Sequence, residues 1–228
     1  MIRSSKRMST IRSNRVRRPA RAAFRPRPLG PKDEGLILTE SQYLRCTDAS
    51  GYVSEIFDGA VHVSPSAKPN HDIWRYLIQA HLRVFAREHP ELFSFITGDN
   101  DVVVPFRPGP TRPRPDVSAY RDFPLLQILQ RESDWAEFCP VLVVEIISPR
   151  RRRKDTERNR GLYWSAGGIS EYWIVDPRND AGKPDLIVHW RETGQPDWKQ
   201  QVLKFGDSYQ SRTMPELSIN LKKLLEQA

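Results

Sequence analysis

One stretch of the chain, residues 140–177, constrains the fold more than any other. Its first part, residues 141–147, is an unbroken apolar and β-branched run that contains a single carboxylate, Glu145. Such a run is typical of a strand buried on both faces, where a carboxylate is costly unless a cation or a hydrogen-bond donor meets it. A helix-compatible segment, 155–166, and a second buried run, 172–175, follow. The stretch therefore predicts a β-α-β unit with an acid inside its first strand.

Positive charge is unevenly distributed along the chain. Residues 1–31 contain ten of the 36 Lys and Arg residues and none of the 28 acids, so the rest carries 26 basic and 28 acidic side chains. The net charge of +8 thus belongs to the N-terminal segment and does not by itself indicate general nucleic-acid binding. Residues 1–35 are rich in Arg, Ser and Pro, which predicts a disordered tail. A solvated tail, an over-long gene start, a nucleic-acid-binding arm, a transit peptide and an expression artefact all fit it.

Residues 36–228 are long enough for one domain with a real core. Residues 52–57, the turn dipeptide Asp58-Gly59 and residues 60–64 predict a β-hairpin. Apolar residues at helical spacing predict a helix over about 71–87, capped by Asn70. Further strands are expected at 92–97, 101–106 and, extending the sheet in antiparallel fashion, 185–190 and 198–203. The cysteines lack metal-ligand spacing and no run is long enough to cross a bilayer, which favours a cytoplasmic protein.

Two carboxylates occur in strand-like contexts. Asp116 follows a proline- and arginine-rich loop and precedes a short apolar run, and Glu145 lies inside the buried strand. Acids on neighbouring strands can hold one Mg²⁺ ion, with water and substrate phosphate as the remaining ligands. An acid that faces an arginine or a helix N-terminus explains either residue equally well. The run of basic residues after Glu145 is either a solvated turn or a contact for a phosphodiester backbone.

Four segments, PDVSAY, VLVVEIISP, KDTERNRGLYWSAGG and SEYWIVDP, together resemble the Uma-type family of "putative restriction endonucleases", a branch of the PD-(D/E)xK nuclease superfamily. The resemblance covers roughly residues 50–225. It implies an α/β (α+β) restriction-endonuclease-like core, in which a mixed sheet with an antiparallel extension is flanked by helices. It also implies that Asp116 and Glu145 hold Mg²⁺ or Mn²⁺.

The chain departs from the family at the lysine. The superfamily lysine two residues after the second acid is Ile147 here, and the lysine that this family places on the following helix is Asn159. Asn159 can hold a water or a phosphate oxygen but carries no charge. Glu55 is a candidate third acid, with an exposed hairpin acid as the alternative. His71 is expected to cap or pack, with assistance at the site as the alternative, and Tyr163 is expected to lie in the core.

Three hypotheses about function follow. The first is a metal-dependent endonuclease that hydrolyses DNA, with Asp116, Glu145, Asn159 and Glu55 at the site. Its DNA-backbone contacts would be basic residues in and after the turn, namely Arg151, Arg152, Lys154, Arg158 and Arg160. A homodimer would suit two-fold symmetric cutting. The second is a catalytically impaired protein of the same fold that binds nucleic acid or a partner protein. The third is a scaffold whose Arg-rich tail acts alone.

Overall fold

The computed structural model of this chain describes residues 24–148 and 153–228, and for residues 153–156 the backbone alone. Its helices are α1 (Glu40–Tyr43), α2 (Pro69–Glu88), α3 (Leu125–Ile128), α4 (Arg153–Ser165) and α5 (Leu221–Glu226). Its strands are β1 (Pro28–Leu29), β2 (Thr47–Asp48), β3 (Tyr52–Phe57), β4 (Ala60–Pro65), β5 (Phe95–Thr97), β6 (Val117–Tyr120), β7 (Leu142–Ile146), β8 (Glu171–Asp176), β9 (Asp185–Trp190), β10 (Lys199–Leu203), β11 (Tyr209–Gln210) and β12 (Ser218–Ile219).

A six-stranded sheet in the order β10-β9-β8-β7-β6-β5 forms the centre of the fold. Strands β7 and β8 are parallel and α4 connects them, which confirms the predicted β-α-β unit. Every other neighbouring pair in this sheet is antiparallel, including β9 and β10, which form the predicted antiparallel extension. The predicted fold class, a mixed sheet flanked by helices, is confirmed.

The two faces of the sheet pack against different helices. Val144 and Ile146 of β7 share a core cluster with α2 and α5, whereas Val143 and Ile147 share one with Tyr163 of α4. This alternation follows from the two-residue period of a strand. It places Glu145 on the α4 side. No helix within the described ranges is long and apolar enough to cross a lipid bilayer.

The predicted β-hairpin is present as β3 and β4, which pair from Tyr52 to Pro65. Its turn residues Asp58 and Gly59 both have positive φ, 51° and 86°, as a tight hairpin turn requires. Helix α2 begins at Pro69, two residues before the predicted start, with Lys68 rather than Asn70 as its N-cap. Proline suits the first helical turn because the amide hydrogen that it lacks would have no partner there.

Two predictions made for loop and tail segments are corrected by the structure. Part of the predicted tail, residues 24–35, is folded: Leu29 is buried against Leu38 and Ile56, and the Asp33 carboxylate accepts from Arg27 and from the Gly30 amide. The predicted disorder of residues 1–23 lies outside the described residues. The segment 101–106 is not a strand. Its neighbour contains Pro113, which has no amide hydrogen and cannot complete a ladder.

Candidate active site

Glu145 lies near the end of β7 with only 2% of its surface exposed. Its Oε1 atom accepts a hydrogen bond of 3.0 Å from Nδ2 of Asn159 and one of 2.7 Å from the Tyr163 hydroxyl. Asn159 and Tyr163 are four residues apart on α4, so they lie one above the other on the face that packs against the sheet. Helix α4 therefore holds the buried carboxylate in a fixed orientation.

Asp116 lies beside Glu145 because of the register between their strands. Val117 pairs with Val144, so Asp116, one residue earlier, is opposite the part of β7 that contains Glu145. Its Oδ2 atom accepts a 2.6 Å hydrogen bond from the amide of Ile146, the residue after Glu145. The structure thus brings together the two acids that the sequence singles out.

His71, in the first turn of α2, contacts the first of these acids. Its Nε2 atom lies 3.2 Å from Oδ1 of Asp116, and both side chains are 15% exposed. Burial lowers the pKa of His71, but the hydrogen bond to Asp116 and the negative charge of that carboxylate outweigh burial and raise the pKa above its ordinary value. The ring therefore favours a donating Nε2–H to Oδ1 of Asp116, while the Ile146 amide donates to Oδ2.

Glu55 of β3 lies in the same region of the fold. Its Oε1 atom accepts a 2.8 Å hydrogen bond from the amide of Arg114, two residues before Asp116. The pKa of the Tyr163 hydroxyl is raised well above its ordinary value, first by complete burial and then by the negative charge of Glu145, with a smaller contribution from Glu55. Glu55 is half-buried, not the exposed hairpin acid of the alternative interpretation.

Neither position at which a lysine is expected carries a cation. Ile147 is 2% exposed and packs in the core beside Val143. Asn159 is completely buried, and its Oδ1 atom accepts from Nε of Arg158 at 3.3 Å while its Nδ2 atom donates to Glu145. These two partners fix the orientation of the amide, since one offers a donor and the other an acceptor.

The five basic residues expected to contact DNA lie in different surroundings or outside the described residues. Arg151 and Arg152 lie outside the described residues, and for Lys154 only the backbone is described. The Arg158 guanidinium lies 3.7 Å from the centroid of the Phe57 ring, on the same helix as Asn159. Arg160 is directed elsewhere, because its Nη2 atom forms a 2.6 Å ion pair with Asp197. Of the described side chains in this set, Arg158 is the one near the acids.

Sequence reasoning missed Tyr163 as a site residue because its apolar ring resembles that of any core tyrosine. The spacing from Asn159 to Tyr163 was the available signal, since side chains four apart on a helix share a face. A role for His71 at the site was the alternative interpretation of that residue, but its contact with Asp116 depends on where the N-terminus of α2 meets the sheet.

The donor set fits a hard divalent cation. Asp116 and Glu145 offer carboxylate oxygens, and Mg²⁺ commonly takes one or two protein carboxylates and fills its octahedron with water and phosphate. Among residues 24–148 and 157–228, no group of three or more His, Cys, Asp or Glu side chains has the geometry of a complete metal site. A cation bound here would therefore take further ligands from water and substrate.

Comparison with solved structures supports the fold. The chain is similar to the crystal structure of a putative nuclease belonging to DUF820 from Anabaena variabilis ATCC 29413, with a TM-score of 0.60 and 17% sequence identity. The similarity covers 83% of this chain and 98% of that chain. At this identity the likeness shows a common fold.

Comparison with protein families gives a match over most of the domain. The sequence model of the family described as "Uma2: Putative restriction endonuclease" matches residues 40–222, which include both acids, Asn159 and the β-α-β unit. Residues 40–222 are well over half of the 228-residue chain. The chain therefore belongs to the Uma2 family.

Proposed function

We propose that this protein is a divalent-metal-dependent endonuclease of the PD-(D/E)xK type that hydrolyses phosphodiester bonds in DNA. The observation that carries the proposal is the hydrogen bond from the Ile146 amide to Asp116, which fixes the first acid beside the second in a chain of the Uma2 family. A bound Mg²⁺ or Mn²⁺ would lower the pKa of a water ligand and offset charge on the phosphate.

The chain's own residues have separate roles in this proposal. Asp116 and Glu145 would hold the cation, and Glu55 would add negative charge nearby. His71 and the Ile146 amide fix the Asp116 carboxylate, while Asn159 and Tyr163 fix that of Glu145. Outer partners of this kind keep ligand oxygens in place, and their loss typically weakens metal affinity about 10- to 100-fold.

One observation favours a second candidate function. In place of the lysine amine, the site has the uncharged Asn159, which cannot transfer a proton to or from a water. The guanidinium of Arg158 is a poor substitute because it remains protonated at any ordinary pH. A protein with this site would bind a cation and DNA but cleave slowly or not at all. The alternative function is therefore a catalytically impaired, nucleic-acid-binding protein of the same fold.

Nicking of supercoiled plasmid, measured separately with Mg²⁺ and Mn²⁺, separates the two functions. Wild type is compared with Glu145→Gln, whose amide oxygen can still accept from Asn159 and Tyr163. The matched control is Asp185→Asn at the first residue of β9. It removes a carboxylate whose Oδ2 atom lies 2.7 Å from Nζ of the exposed Lys204. The endonuclease proposal expects nicking by wild type and the control, and a loss of at least about 100-fold in Glu145→Gln.

Mn²⁺ titration and a gel-shift assay in Ca²⁺ complete the experiment. Folded wild type that retains DNA without nicking it indicates the impaired function, and Asn159→Lys is then expected to restore measurable cleavage. If Mn²⁺ binds equally well to wild type and to Glu145→Gln, the assignment of Glu145 to the metal is wrong. Nicking that survives in Glu145→Gln would locate the activity elsewhere in the protein.

A further inference from the structure

Phe106 is the most exposed large apolar side chain of the described residues, with a relative exposure of 101%. Its backbone has a φ of 59°, in the left-handed region that bulky residues rarely occupy. A single exposed apolar residue is ordinary, but one with an unfavourable backbone conformation is not. Such conformations persist only where the surrounding structure enforces them, and they are concentrated at functional sites.

The loop that carries Phe106, residues 104–111, is held firmly against the β3–β4 turn. The Val104 amide donates to the Thr111 carbonyl at 3.0 Å, and the Gly59 amide donates to the Pro110 carbonyl at 2.9 Å. Arg107 forms a two-pronged ion pair with Asp58, at 2.8 and 2.6 Å. These contacts close both sides of the loop and leave the ring at its tip.

Gly109 allows this close approach. A Cβ atom at Gly109 would lie 2.6 Å from the backbone carbonyl of Asp58, closer than real side chains come. The loop can therefore lie directly on the hairpin turn only with glycine at this position. The exposed ring is thus presented by a rigid support.

The loop lies on the side of the fold that contains the candidate active site. Val104 packs with Phe57 and with Leu162 of α4, the residue next to Tyr163. The Arg158 guanidinium stacks on the Phe57 ring of this cluster and also donates to Asn159. Val104 precedes Phe106 by two residues, so the backbone of Phe106 lies at most about 7 Å along the chain from this cluster. The loop that presents Phe106 therefore packs, through Val104, against the helix whose Asn159 and Tyr163 hold Glu145.

We propose that Phe106 is a nucleic-acid contact whose ring stacks on a base of the bound strand. This inference rests on the proposed function and extends it by assigning a base contact outside the metal site. A rigid, fully exposed ring on a loop that packs against α4 suits a nucleic acid, because a base offers a flat apolar face on which the ring can stack. The base is either one exposed in a single strand or one at a duplex step into which the ring inserts.

Fluorescence anisotropy with labelled DNA in Ca²⁺ tests the proposal under conditions that prevent cleavage. The variants are Phe106→Gly, Phe106→Ala and Phe106→Trp. Loss of the ring is expected to weaken binding about 5- to 100-fold, the range measured for base stacking on aromatic side chains, whereas Trp keeps affinity close to that of wild type. The matched control is Leu129→Ala, which removes an 82% exposed apolar side chain after α3.

Two readouts distinguish a base contact from a structural role. Phe106→Gly should melt no lower than wild type, because glycine adopts a positive φ without strain. The slope of log Kd against log salt should stay that of wild type, since stacking releases no counterions, whereas loss of a phosphate contact reduces the slope by about one. A lower melting temperature in Phe106→Gly with unchanged DNA affinity would overturn the proposal.

Single-stranded and duplex probes carrying 2-aminopurine identify the source of the base. Increased fluorescence in Phe106→Ala relative to wild type, on either probe, supports stacking and shows which form is contacted. Equal Kd values for wild type, Phe106→Gly and Leu129→Ala refute it, and would assign the ring to a protein contact instead.

Failure of this inference is distinguishable from failure of the proposed function. If DNA binding depends on Phe106 but the protein never nicks plasmid, the base contact is supported and the endonuclease proposal is refuted. If nicking depends on Glu145 but DNA affinity does not depend on Phe106, the endonuclease proposal is supported and the base contact is refuted. A wild-type protein that binds neither probe refutes both.

Discussion

Acid is expected to destabilise this protein through His189, a buried residue of β9. The ring is 2% exposed and stacks on Tyr172, with centroids 5.3 Å apart. Burial, reinforced by the positive charge of Arg160, lowers the pKa of His189 from its ordinary value of 6.5 to about 4. The unfolded chain therefore takes up a proton below pH 6.5 that the folded protein does not accept until about pH 4.

The sign and size of the effect follow from this difference in pKa. Because the unfolded state binds the proton first, stability contributed by neutral His189 is complete above pH 6.5 and is lost as the pH falls toward 4. Between pH 7.5 and pH 5, linked protonation removes about 2 kcal/mol from the free energy of unfolding. That is a substantial share of the roughly 5–15 kcal/mol that stabilises an ordinary domain.

Urea denaturation at a series of pH values measures this loss. His189→Phe keeps a ring against Tyr172, and His189→Gln keeps a neutral polar group, but neither titrates in this range. Each variant should lose about 2 kcal/mol less than wild type between pH 7.5 and 5, whatever its stability at neutral pH. Parallel curves for wild type and both variants would show that the argument from burial is wrong.

Aromatic rings in contact with one another connect His189 to the candidate active site. Tyr172 contacts His189 on one side and Tyr163 on the other, where the ring centroids are 4.9 Å apart. Tyr163 donates to Glu145. The ring whose protonation is costly therefore packs, through Tyr172, against the hydroxyl-bearing ring that donates to the buried acid.

Two further predictions concern hydrogen bonds to buried carboxyl groups. Tyr163→Phe removes the hydroxyl that donates to Glu145 at 2.7 Å and keeps the ring. The free energy of unfolding, measured by urea denaturation, should fall by about 1.5–3 kcal/mol. The affinity for Mn²⁺, measured by calorimetric titration, should fall about tenfold. An unchanged Mn²⁺ affinity would separate Tyr163 from the metal site. Glu171 of β8 is completely buried and accepts hydrogen bonds from Trp173 and from residues 211–213. Glu171→Gln places an NH₂ group against some of these donors, so the free energy of unfolding should fall by roughly 2–4 kcal/mol. Thermal melting checks this, and a variant as stable as wild type would contradict it; Asp185→Asn is the surface control.

Local patterns predicted the parts of the fold that are determined locally. The apolar run around Glu145, the helix-compatible segment 155–166 and the second short run predicted the β7-α4-β8 unit, and Asp58-Gly59 predicted the β3–β4 turn. These segments combine periodicity with turn residues of known conformation. The register that joins Asp116 to Ile146 belongs to the separate pairing of β6 with β7, so the two acids were singled out by their strand-like contexts and by the family resemblance.

Other parts depend on contacts distant in sequence. Leu29 of the Pro- and Arg-rich segment packs in the core beside Ile56, and the partly buried Phe24 packs against the same cluster. Composition averaged over a window hides such isolated buried side chains. The run 101–106 has the composition of a strand, but the segment beside it contains Pro113. The Val102 amide donates to the Pro113 carbonyl, and Pro113 has no amide hydrogen to donate in return. Phe106 could not be distinguished from a core phenylalanine, because exposure and a positive φ are properties of the folded loop.

The substitution of Asn159 for a lysine is less disruptive than the loss of a charge suggests. Arg158 donates to the Asn159 oxygen, and the Asn159 amide donates to Glu145, so the two bonds form a short chain from a cation to the buried carboxylate. Hydrogen bonds in such a chain polarise one another, which makes the amide a stronger donor than an isolated asparagine. This pair of hydrogen bonds holds Glu145 in place, but it cannot move a proton, since an amide and a guanidinium both keep theirs. Under the proposed function, the positioning and proton transfer that one lysine would combine are therefore separated, and metal binding should persist even where hydrolysis is slow.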